Sequence, residues 1–252
     1  MSRKKVLIQS DFSLLKTGFA KNAKIILTYL YNTGKYDIVH YCCGLSEKHP
    51  DLCRTPWKSI GCLPASQEKL QEIEKDPTLN KIAAYGAYYL DSVIESEKPD
   101  VYIAIQDIWG VDFATKRKWF NKITSAIWTT LDSLPILPSA IETAKNVKNY
   151  WVWSNFATKE LNKMGYNNVD TLHGALQDED FFPLTPHEKS SLRKANNISE
   201  KDFVIGFVFR NQLRKSVPNL LQGFKKFKKI NPDSNAKLLL HTHMEEGWPI
   251  LS

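Results

Sequence analysis

Two cations in one short loop are the residues of this sequence best suited to hold an anion. Arg210 and Lys215 follow an apolar segment, 204–209, and directly precede a segment with helical periodicity. Arginine offers a two-pronged donor and lysine a point charge, and the first N–H groups of a helix also attract anions. The two side chains could therefore converge on one diphosphate and stabilise a departing nucleotide. The alternative is a solvated basic turn.

A glycine early in the chain marks a second place where an anion could approach the backbone. Gly18 follows an apolar segment, 6–10, and begins a segment whose apolar residues fall on one helical face. Glycine permits close approach to a helix N-terminus, where N–H groups favour negative charge. No G-x-G-x-x-G fingerprint surrounds it, which argues against a dinucleotide site. The alternative is an ordinary turn glycine.

Polar residues follow two further apolar segments. Gln106 and Asp107 end one of them, and Asp132 follows the other, 125–131. Ligands of an open parallel sheet bind beyond the carboxyl ends of its strands, so all three residues are candidates for a cleft. Asp132 is the candidate catalytic residue, because it could hydrogen-bond or deprotonate a substrate hydroxyl. The alternative is an Asx-type turn residue before Pro135.

Histidine and cysteine patterns give weaker signals. His173, followed by Gly174, has the residue type of a catalytic dyad, but no Ser or Cys nucleophile motif accompanies it, so a hydrogen-bonded structural histidine is the alternative. His241 and His243 alternate along one segment without a third ligand, and the spacing of the four cysteines matches no zinc pattern. We therefore expect neither a metal nor a cofactor.

The segments around these candidates alternate between strand and helix signals, which predicts an α/β fold. Strands without polar alternation indicate a Rossmann-like parallel sheet covered on both faces, here a first domain at residues 1–182. Residues 42–63, with their prolines, are predicted to be irregular, and helices are predicted at 67–75, 80–97 and 111–120. The predicted strands are 6–10, 36–41, 101–106, 125–131, 150–154 and 169–174.

The composition turns polar at 183–201, which we predict to be a linker. A single βαβ unit follows, with strands at 203–209 and 236–243 and a helix at 217–230. Ser216 is expected to cap this helix, as Ser154 is expected to cap the helix that begins at Asn155 in the first domain. A lone βαβ unit would expose both faces of its strands. Residues 202–252 are therefore predicted to begin a second Rossmann-like domain that is incomplete.

Composition and charge limit the class of protein and its partners. Of the 252 residues 42% are hydrophobic and 24% are charged, as in ordinary globular proteins. No apolar run is long enough for a membrane span or a secretory signal, so we expect a cytoplasmic protein. The net charge of +7 favours anionic partners, although the lysines of 225–229 have the pattern of a solvated helix face.

Three motifs follow one another along the chain in the order that a known enzyme family has. They are S-N-F-A-T-K-E-L-N-K-M-G-Y at 154–166, L-H-G-A-L-Q-D-E-D-F-F-P-L at 172–184 and I-G-F-V-F-R-N-Q-L-R-K-S-V-P-N-L-L-Q-G-F at 205–224. Together they resemble glycosyltransferases of the two-Rossmann (GT-B) type, nearest to the retaining group called family 4. The resemblance spans nearly the whole chain. It implies that Arg210 and Lys215 hold the diphosphate of the donor, with Gly18 beside that diphosphate or the reacting sugar.

The sequence departs from this family at two places. Asp132 lies in the region where relatives often carry a histidine, which leaves its role open. The E-x7-E motif of the donor domain is absent, and Glu245 and Glu246 lie too early to replace it. We therefore expect a C-terminally truncated chain with weak activity of its own.

The resemblance implies a hexosyltransferase-type enzyme that retains the anomeric configuration. It would move a sugar from a nucleotide-diphosphate donor to a hydroxyl of a glycan, lipid or protein. The nucleotide sugar is then a co-substrate, no nucleic-acid partner is expected, and a peripheral contact with an anionic membrane stays open. Two alternatives remain: a non-catalytic module that binds anions or glycans, derived from a transferase, and a GT-B-type sugar-nucleotide epimerase.

Overall fold

The computed structural model describes residues 3–177, 179, 181–244 and 246–250. The chain divides into two compact units, Met1–Phe181 and Phe182–Ser252. The domain and linker boundaries proposed from the sequence stay a prediction.

A seven-stranded sheet with the order β3-β2-β1-β4-β5-β6-β7 forms the centre of the first unit, and all its neighbouring strands are parallel. Most residues of its strands are buried, because helices cover both faces of the sheet. The strands are β1 (Lys4–Asp11), β2 (Tyr36–Ser46), β3 (Lys58–Leu63), β4 (Val101–Ile105), β5 (Thr124–Thr129), β6 (Asn149–Val152) and β7 (Val169–Thr171).

Seven helices of the first unit accompany these strands within the described residues. Thr17 begins the first of them by accepting a hydrogen bond from the Ala20 amide at 3.1 Å. Ser154 caps the last in the same way, as its residue type predicts, since its Oγ accepts from the Ala157 amide at 3.3 Å. The helices are α1 (Gly18–Asn32), α2 (Gln67–Lys75), α3 (Pro77–Ala83), α4 (Leu90–Glu97), α5 (Ile108–Thr115), α6 (Pro138–Asn146) and α7 (Asn155–Lys163).

The two faces of the sheet bury separate apolar clusters. Successive residues of β1 point to opposite faces: Leu7 packs in the cluster that contains Tyr102, whereas Ile8 packs in the cluster that contains Leu27 of α1. Leu7 and Ile8 are both fully buried. A parallel sheet with helices on both faces is the Rossmann-like arrangement that the sequence predicted.

The stretch 42–63 is more regular than predicted. It contains the end of β2, a 3-10 turn at Pro50–Arg54 and the edge strand β3. Its prolines fall outside the strands, so they do not prevent strand pairing. Within β3, a Cβ on Gly61 would meet the Ser46 carbonyl oxygen, which explains the glycine in this strand.

Two predicted helices also need correction. The segment 80–97 is not one helix, because the chain breaks between α3 and α4, where Gly86 adopts a φ of 103°. A Cβ there would clash with the ring of Tyr41, so the helix break is tied to core packing. The helix predicted at 111–120 begins earlier, at Ile108, and ends at Thr115.

The second unit contains a βαβ unit preceded by one helix. Strands β8 (Phe203–Val208) and β9 (Ala236–His241) are parallel, and α9 (Val217–Ile230) connects them. The strand β9 ends at His241, so His243 does not share it as predicted. Phe203 and Val208 of β8 are 69% and 77% exposed, as expected for a βαβ unit by itself. The helix at the start of this unit is α8 (Pro186–Ala195).

The predicted fold class is confirmed: an α/β Rossmann-like parallel sheet precedes a βαβ unit. Among the helices of the described residues, we find none with both the length and the apolar character that a membrane crossing requires.

Candidate functional site

The carboxyl ends of β1 and β4 are joined by a hydrogen-bond network around Asp11. The Gln106 side chain donates to Asp11 Oδ1 at 2.6 Å, and the Thr17 hydroxyl donates to Asp11 Oδ2 at 2.5 Å. Because Thr17 also caps α1, this network fixes the loop after β1 against the end of β4. Gln106 is almost fully buried. Asp11 was not among the site residues predicted from the sequence, although its position at the end of a strand could have marked it as a candidate.

Asp107 and Asp132 line one small pocket of about 60 Å³. The Thr130 hydroxyl donates to Asp107 Oδ1 at 2.6 Å, and the Asp107 amide donates to the Gln106 side-chain oxygen at 3.1 Å. The Asp132 side chain is exposed at the mouth of the loop after β5. The structure thus brings three of the predicted cleft residues together at one edge of the sheet. The two carboxylates at this edge could bind and orient a hydroxyl group, whereas the buried Gln106 amide already bonds to Asp11 and to the Asp107 amide.

His173 lies in the loop after β7 and contacts the backbone of Trp153, the residue that follows β6. Its Nδ1 is 2.9 Å from the Trp153 carbonyl oxygen, and the ring is exposed. A bond from Nδ1–H to a carbonyl fixes the tautomer and leaves Nε2 as an acceptor. This contact fits the structural role that the sequence offered as the alternative. A ligand could still contact the exposed ring through Nε2.

Gly18 is the first residue of α1 and borders a cavity of about 390 Å³. A Cβ built on Gly18 would meet no atom within 4 Å, and its φ lies outside the left-handed region. Neither internal packing nor backbone geometry therefore requires a glycine here. An approaching ligand would supply such a requirement.

In the second unit, Arg210 and Lys215 lie in the loop between β8 and α9. The Nε of Arg210 donates to Glu246 Oε2 at 2.9 Å, which lowers the pKa of the Glu246 carboxyl. Lys215 ends a 3-10 turn, Leu213–Lys215, two residues before α9. The predicted cations are thus at the carboxyl edge of the β8–β9 pair, and one of them already holds a carboxylate.

The side chain of Asn211 anchors the loop between β8 and α9. This side chain is 1% exposed, donates to the Trp248 carbonyl at 2.8 Å and accepts from the Trp248 amide at 3.1 Å. The indole N–H of Trp248 in turn donates to the Leu213 carbonyl at 2.9 Å. These bonds fix the backbone between Arg210 and Lys215, which a preorganised anion site needs.

The N-terminus of α9 has no side-chain cap. Ser216 occupies the cap position in a left-handed conformation, with φ 49°, and its hydroxyl makes no capping bond. In contrast, Thr17 and Ser154 cap α1 and α7 with their side chains. Ser216 was predicted to cap this helix, but its side chain makes no such bond. Pro218 has no N–H, and the Asn219 N–H donates to the Ser216 carbonyl at 3.0 Å, so of the first three positions of α9 Val217 alone could offer its N–H to another acceptor.

The described residues contain no group of three His, Cys, Asp or Glu side chains that could hold a metal ion. The three buried cysteines lie in the first unit, and burial raises the pKa of the Cys62 thiol to about 11 and of the Cys42 and Cys43 thiols further. Such thiols stay protonated and are poor nucleophiles. The predicted absence of a metal and of a cofactor stays a prediction.

Neither a protein-family model nor a curated protein matches the sequence. Solved structures do match it. One of them is a solved structure described as "Trehalose-6-phosphate from E. coli bound with UDP-2-fluoro glucose". The identity is 12% and the TM-score 0.51, over 95% of this chain and 64% of that one.

Two further solved structures have a similar fold. One is assigned as a UDP-N-acetylglucosamine 2-epimerase from Listeria monocytogenes, with 13% identity and a TM-score of 0.50 over 98% of this chain and 64% of that chain. The other is UDP-GlcNAc 2-epimerase from Methanocaldococcus jannaschii, with 15% identity and a TM-score of 0.47 over 96% of this chain and 66% of that chain. The chain spans less than two thirds of the length of each of the three proteins. The two likenesses with TM-scores of 0.51 and 0.50 show a shared fold of the GT-B type, and membership of family 4 stays a prediction.

Proposed function

We propose that this chain is part of a GT-B enzyme that transfers a sugar from a nucleotide-diphosphate donor to a hydroxyl group. The observation that carries this proposal is the loop between β8 and α9. It places Arg210 and Lys215 directly before a helix N-terminus that lacks a side-chain cap. Two cations beside a helix N-terminus, at one edge of a parallel sheet, suit the charge of a diphosphate.

The ion pair of Arg210 fits a reversible site. In the structure the guanidinium holds the exposed carboxylate of Glu246. A diphosphate carries more charge than one carboxylate and offers more acceptor oxygens, so it would compete for the same guanidinium. Arg210 would then stabilise the charge on the departing nucleotide, with Lys215 as a second cation.

The first unit supplies the groups proposed for the acceptor. Asp132 would accept the proton of the attacking hydroxyl and Asp107 would orient it, while the buried Gln106 would act indirectly, through its bond with the Asp107 amide. Gly18 keeps its predicted role as a point where an anionic ligand approaches the start of α1. His173 is a further candidate for the acceptor cleft through its Nε2.

The names of the similar structures suggest which donor to test first. One of them is bound with UDP-2-fluoro glucose, and another is assigned as a UDP-N-acetylglucosamine 2-epimerase. We therefore propose a UDP-sugar as donor. A sugar-nucleotide epimerase is the second candidate, because it would use the same donor and the same fold without an acceptor.

The donor site is tested by calorimetric titration of the 252-residue chain with UDP-glucose, UDP-GlcNAc and GDP-glucose. Arg210→Ala and Lys215→Ala should each weaken binding of the preferred donor about tenfold or more, as expected for charge-assisted bonds of roughly 1.5 kcal/mol or above. The double variant Lys225→Ala, Lys229→Ala is the matched control, because these lysines are exposed on α9. Equal affinity in all variants would contradict the proposed site.

The reaction class is read from the products. Wild-type chain is incubated with the bound donor, radiolabelled in the sugar, with and without a mixture of hydroxyl acceptors. Labelled glycoside that forms only with acceptor supports the transferase. Release of epimer or free sugar without acceptor supports the epimerase instead. Donor binding without any product fits the non-catalytic module and equally the weak activity expected of a truncated transferase.

A further inference from the structure

A cavity of about 390 Å³ in the first unit has a lining that, apart from Gly18, the donor site does not explain. It lies between the loop after β1, the first turns of α1, and residues 175–177 and 181. Three groups of residues form its wall: buried donors, lysines and exposed apolar side chains. The first group is Ser13, Asn22 and Trp153, the second Lys16, Lys21 and Lys24, and the third Leu14, Leu15, Leu176 and Phe181.

The buried donors have no partner of their own. Ser13 and Asn22 are 2% and 3% exposed, and neither the Ser13 hydroxyl nor the Asn22 Nδ2 has a hydrogen-bond partner within the described chain. Asn22 Oδ1 accepts from the Ala175 amide at 2.7 Å, which fixes the orientation of the side-chain amide. The indole N–H of Trp153 is also buried and unpaired in this part of the structure. These donor atoms are covered by their neighbours, so the acceptor oxygens of a ligand would reach them only once the side chains of the wall shift. Buried donors without acceptors are costly, and such a contact would then stabilise the wall.

The charged residues described in the lining of this cavity are lysines. Lys16, Lys21 and Lys24 are exposed residues of its wall, and Glu179 lines the adjoining cavity, so the described charged residues of the two cavities are three cations and one anion. No ion pair among the described residues involves these three lysines. Donors in the wall and cations around them select an anion rather than a neutral polar molecule.

The apolar part of the wall is unusually exposed. Leu14 and Leu15 are 39% and 41% exposed, and Leu176 and Phe181 are 69% and 61% exposed. Exposed apolar residues gathered at one place mark a ligand or interaction site. A second cavity of about 330 Å³ shares Lys24 and Leu176 and extends along α1 towards Tyr29. An apolar chain could therefore continue beyond the first cavity.

We propose that this cavity binds an anionic amphiphile, a phosphate or carboxylate group carried on an apolar chain or ring. The anionic group would accept from Ser13 and Asn22 and pair with the lysines. The apolar part would cover Leu176 and Phe181 and continue along α1. That this amphiphile is the acceptor of the sugar rests on the proposed function, whereas its binding does not.

Calorimetric titration with n-octyl phosphate, below its micelle-forming concentration and without nucleotide, tests this site. The triple variant Lys16→Gln, Lys21→Gln, Lys24→Gln should weaken binding at least tenfold. The triple variant Lys35→Gln, Lys118→Gln, Lys122→Gln is the matched control: it removes the same charge from exposed positions of the same unit. Absence of octyl phosphate binding, or an equal loss in both variants, would overturn the proposal.

A second variant separates the wall donors from general charge. Asn22→Leu removes the unpaired amide and should weaken octyl phosphate binding severalfold with a normal circular dichroism spectrum. If that variant does not fold, Ser13→Ala gives the same reading with a smaller change. Unchanged affinity in a folded Asn22→Leu or Ser13→Ala variant would overturn the role of the donors.

Two comparisons identify the source of the amphiphile. Octyl phosphate should bind at least tenfold more tightly than glucose 6-phosphate or inorganic phosphate, because these lack an apolar part; equal affinities would overturn the proposal. Vesicles of phosphatidylcholine with 30% phosphatidylglycerol, about a third of the lipid, give the membrane arm. If the wild type binds these vesicles and the lysine triple variant does not, the ligand is a lipid headgroup. If the wild type binds octyl phosphate but not the vesicles, the ligand is a soluble molecule. Loss of UDP-sugar binding alone would count against the proposed function and leave this site standing.

Discussion

The Nε of Arg210 donates a hydrogen bond to the carboxylate of Glu246 at 2.9 Å, so the cation proposed for the donor diphosphate already holds an anion within its own unit. Both side chains are largely solvent-exposed, so the pair contributes little to stability. Its consequence lies in binding: a diphosphate must displace the carboxylate before it can use the guanidinium.

Glu246→Gln is therefore expected to increase the affinity for the donor. Loss of the competing charge frees the guanidinium, and because both partners of the pair are exposed, we expect a modest increase of about twofold to fivefold. Titration of the variant with UDP-glucose and UDP-GlcNAc measures this. Glu200→Gln, an exposed carboxylate of the same unit that pairs with Arg193, is the control. Weaker donor binding in Glu246→Gln would contradict the competition.

Gly18→Ala should separate ligand contact from stability. Since a Cβ at Gly18 meets nothing within 4 Å, the folded state accepts it, and we expect a free energy of unfolding that is unchanged or higher by about 0.4 to 1 kcal/mol. Binding of octyl phosphate should nevertheless fall, because the methyl group enters the cavity that Gly18 borders.

Urea denaturation and calorimetry provide the two measurements for Gly18→Ala. Gly223→Ala, inside α9 and equally free of close contacts, is the control, with a similar gain in stability and no effect on the ligand. A large loss of stability in Gly18→Ala would show that the glycine is structural. A parallel fall in UDP-glucose affinity would support its predicted role beside the diphosphate.

Gly174→Ala should disturb the wall of the same cavity from behind. A Cβ at Gly174 would lie 2.8 Å from the ring of Trp153, and that ring also packs against Phe19 and Trp128. The crowded indole must shift, which typically costs about 1 to 3 kcal/mol. Urea denaturation should show this loss, and octyl phosphate should bind more weakly. A variant as stable as the wild type would contradict the packing argument.

His40 should make the stability depend on pH below neutrality. It is fully buried in β2, stacked on Phe12, and neither ring nitrogen has a hydrogen-bond partner in the described residues. Burial lowers the pKa of His40 to about 4, and the nearby backbone of Asp11 and Ser10 offsets this only in part. The unfolded chain, in contrast, takes up the proton near pH 6.5.

The free energy of unfolding should thus be highest above about pH 6.5 and fall by about 3 kcal/mol towards pH 4 through this group alone. His40→Leu removes both the titration and the unpaired nitrogens. We expect its stability at pH 7 to be close to that of the wild type, since an apolar group of similar shape can replace an unpaired polar one. Urea denaturation at pH 7, 6 and 5 should show a difference that grows in favour of the variant as the pH falls. Parallel curves would refute the assignment to His40.

Local pattern was sufficient for most of the fold. Alternating strand and helix signals predicted the parallel sheet, and Ser154 was predicted as a cap, because periodicity and capping depend on residues within a few positions of each other. The edge strand β3 was missed, because the prolines around it suggested an irregular loop. Only the pairing with β2 makes this segment a strand. The break near Gly86 was missed for the same kind of reason, since it depends on contact with Tyr41.

For the candidate site, the sequence by itself determined which residue types stand at strand ends and helix starts, including Arg210, Lys215 and Asp132. Tertiary structure alone decided their partners. Gln106 reaches Asp11 across 95 residues, and Asn22 meets Ala175 across 153 residues. Such contacts depend on which strands lie side by side and not on local spacing. The pairing of Arg210 with Glu246, and the cavity with its unpaired donors, could therefore be found only after the chain was folded.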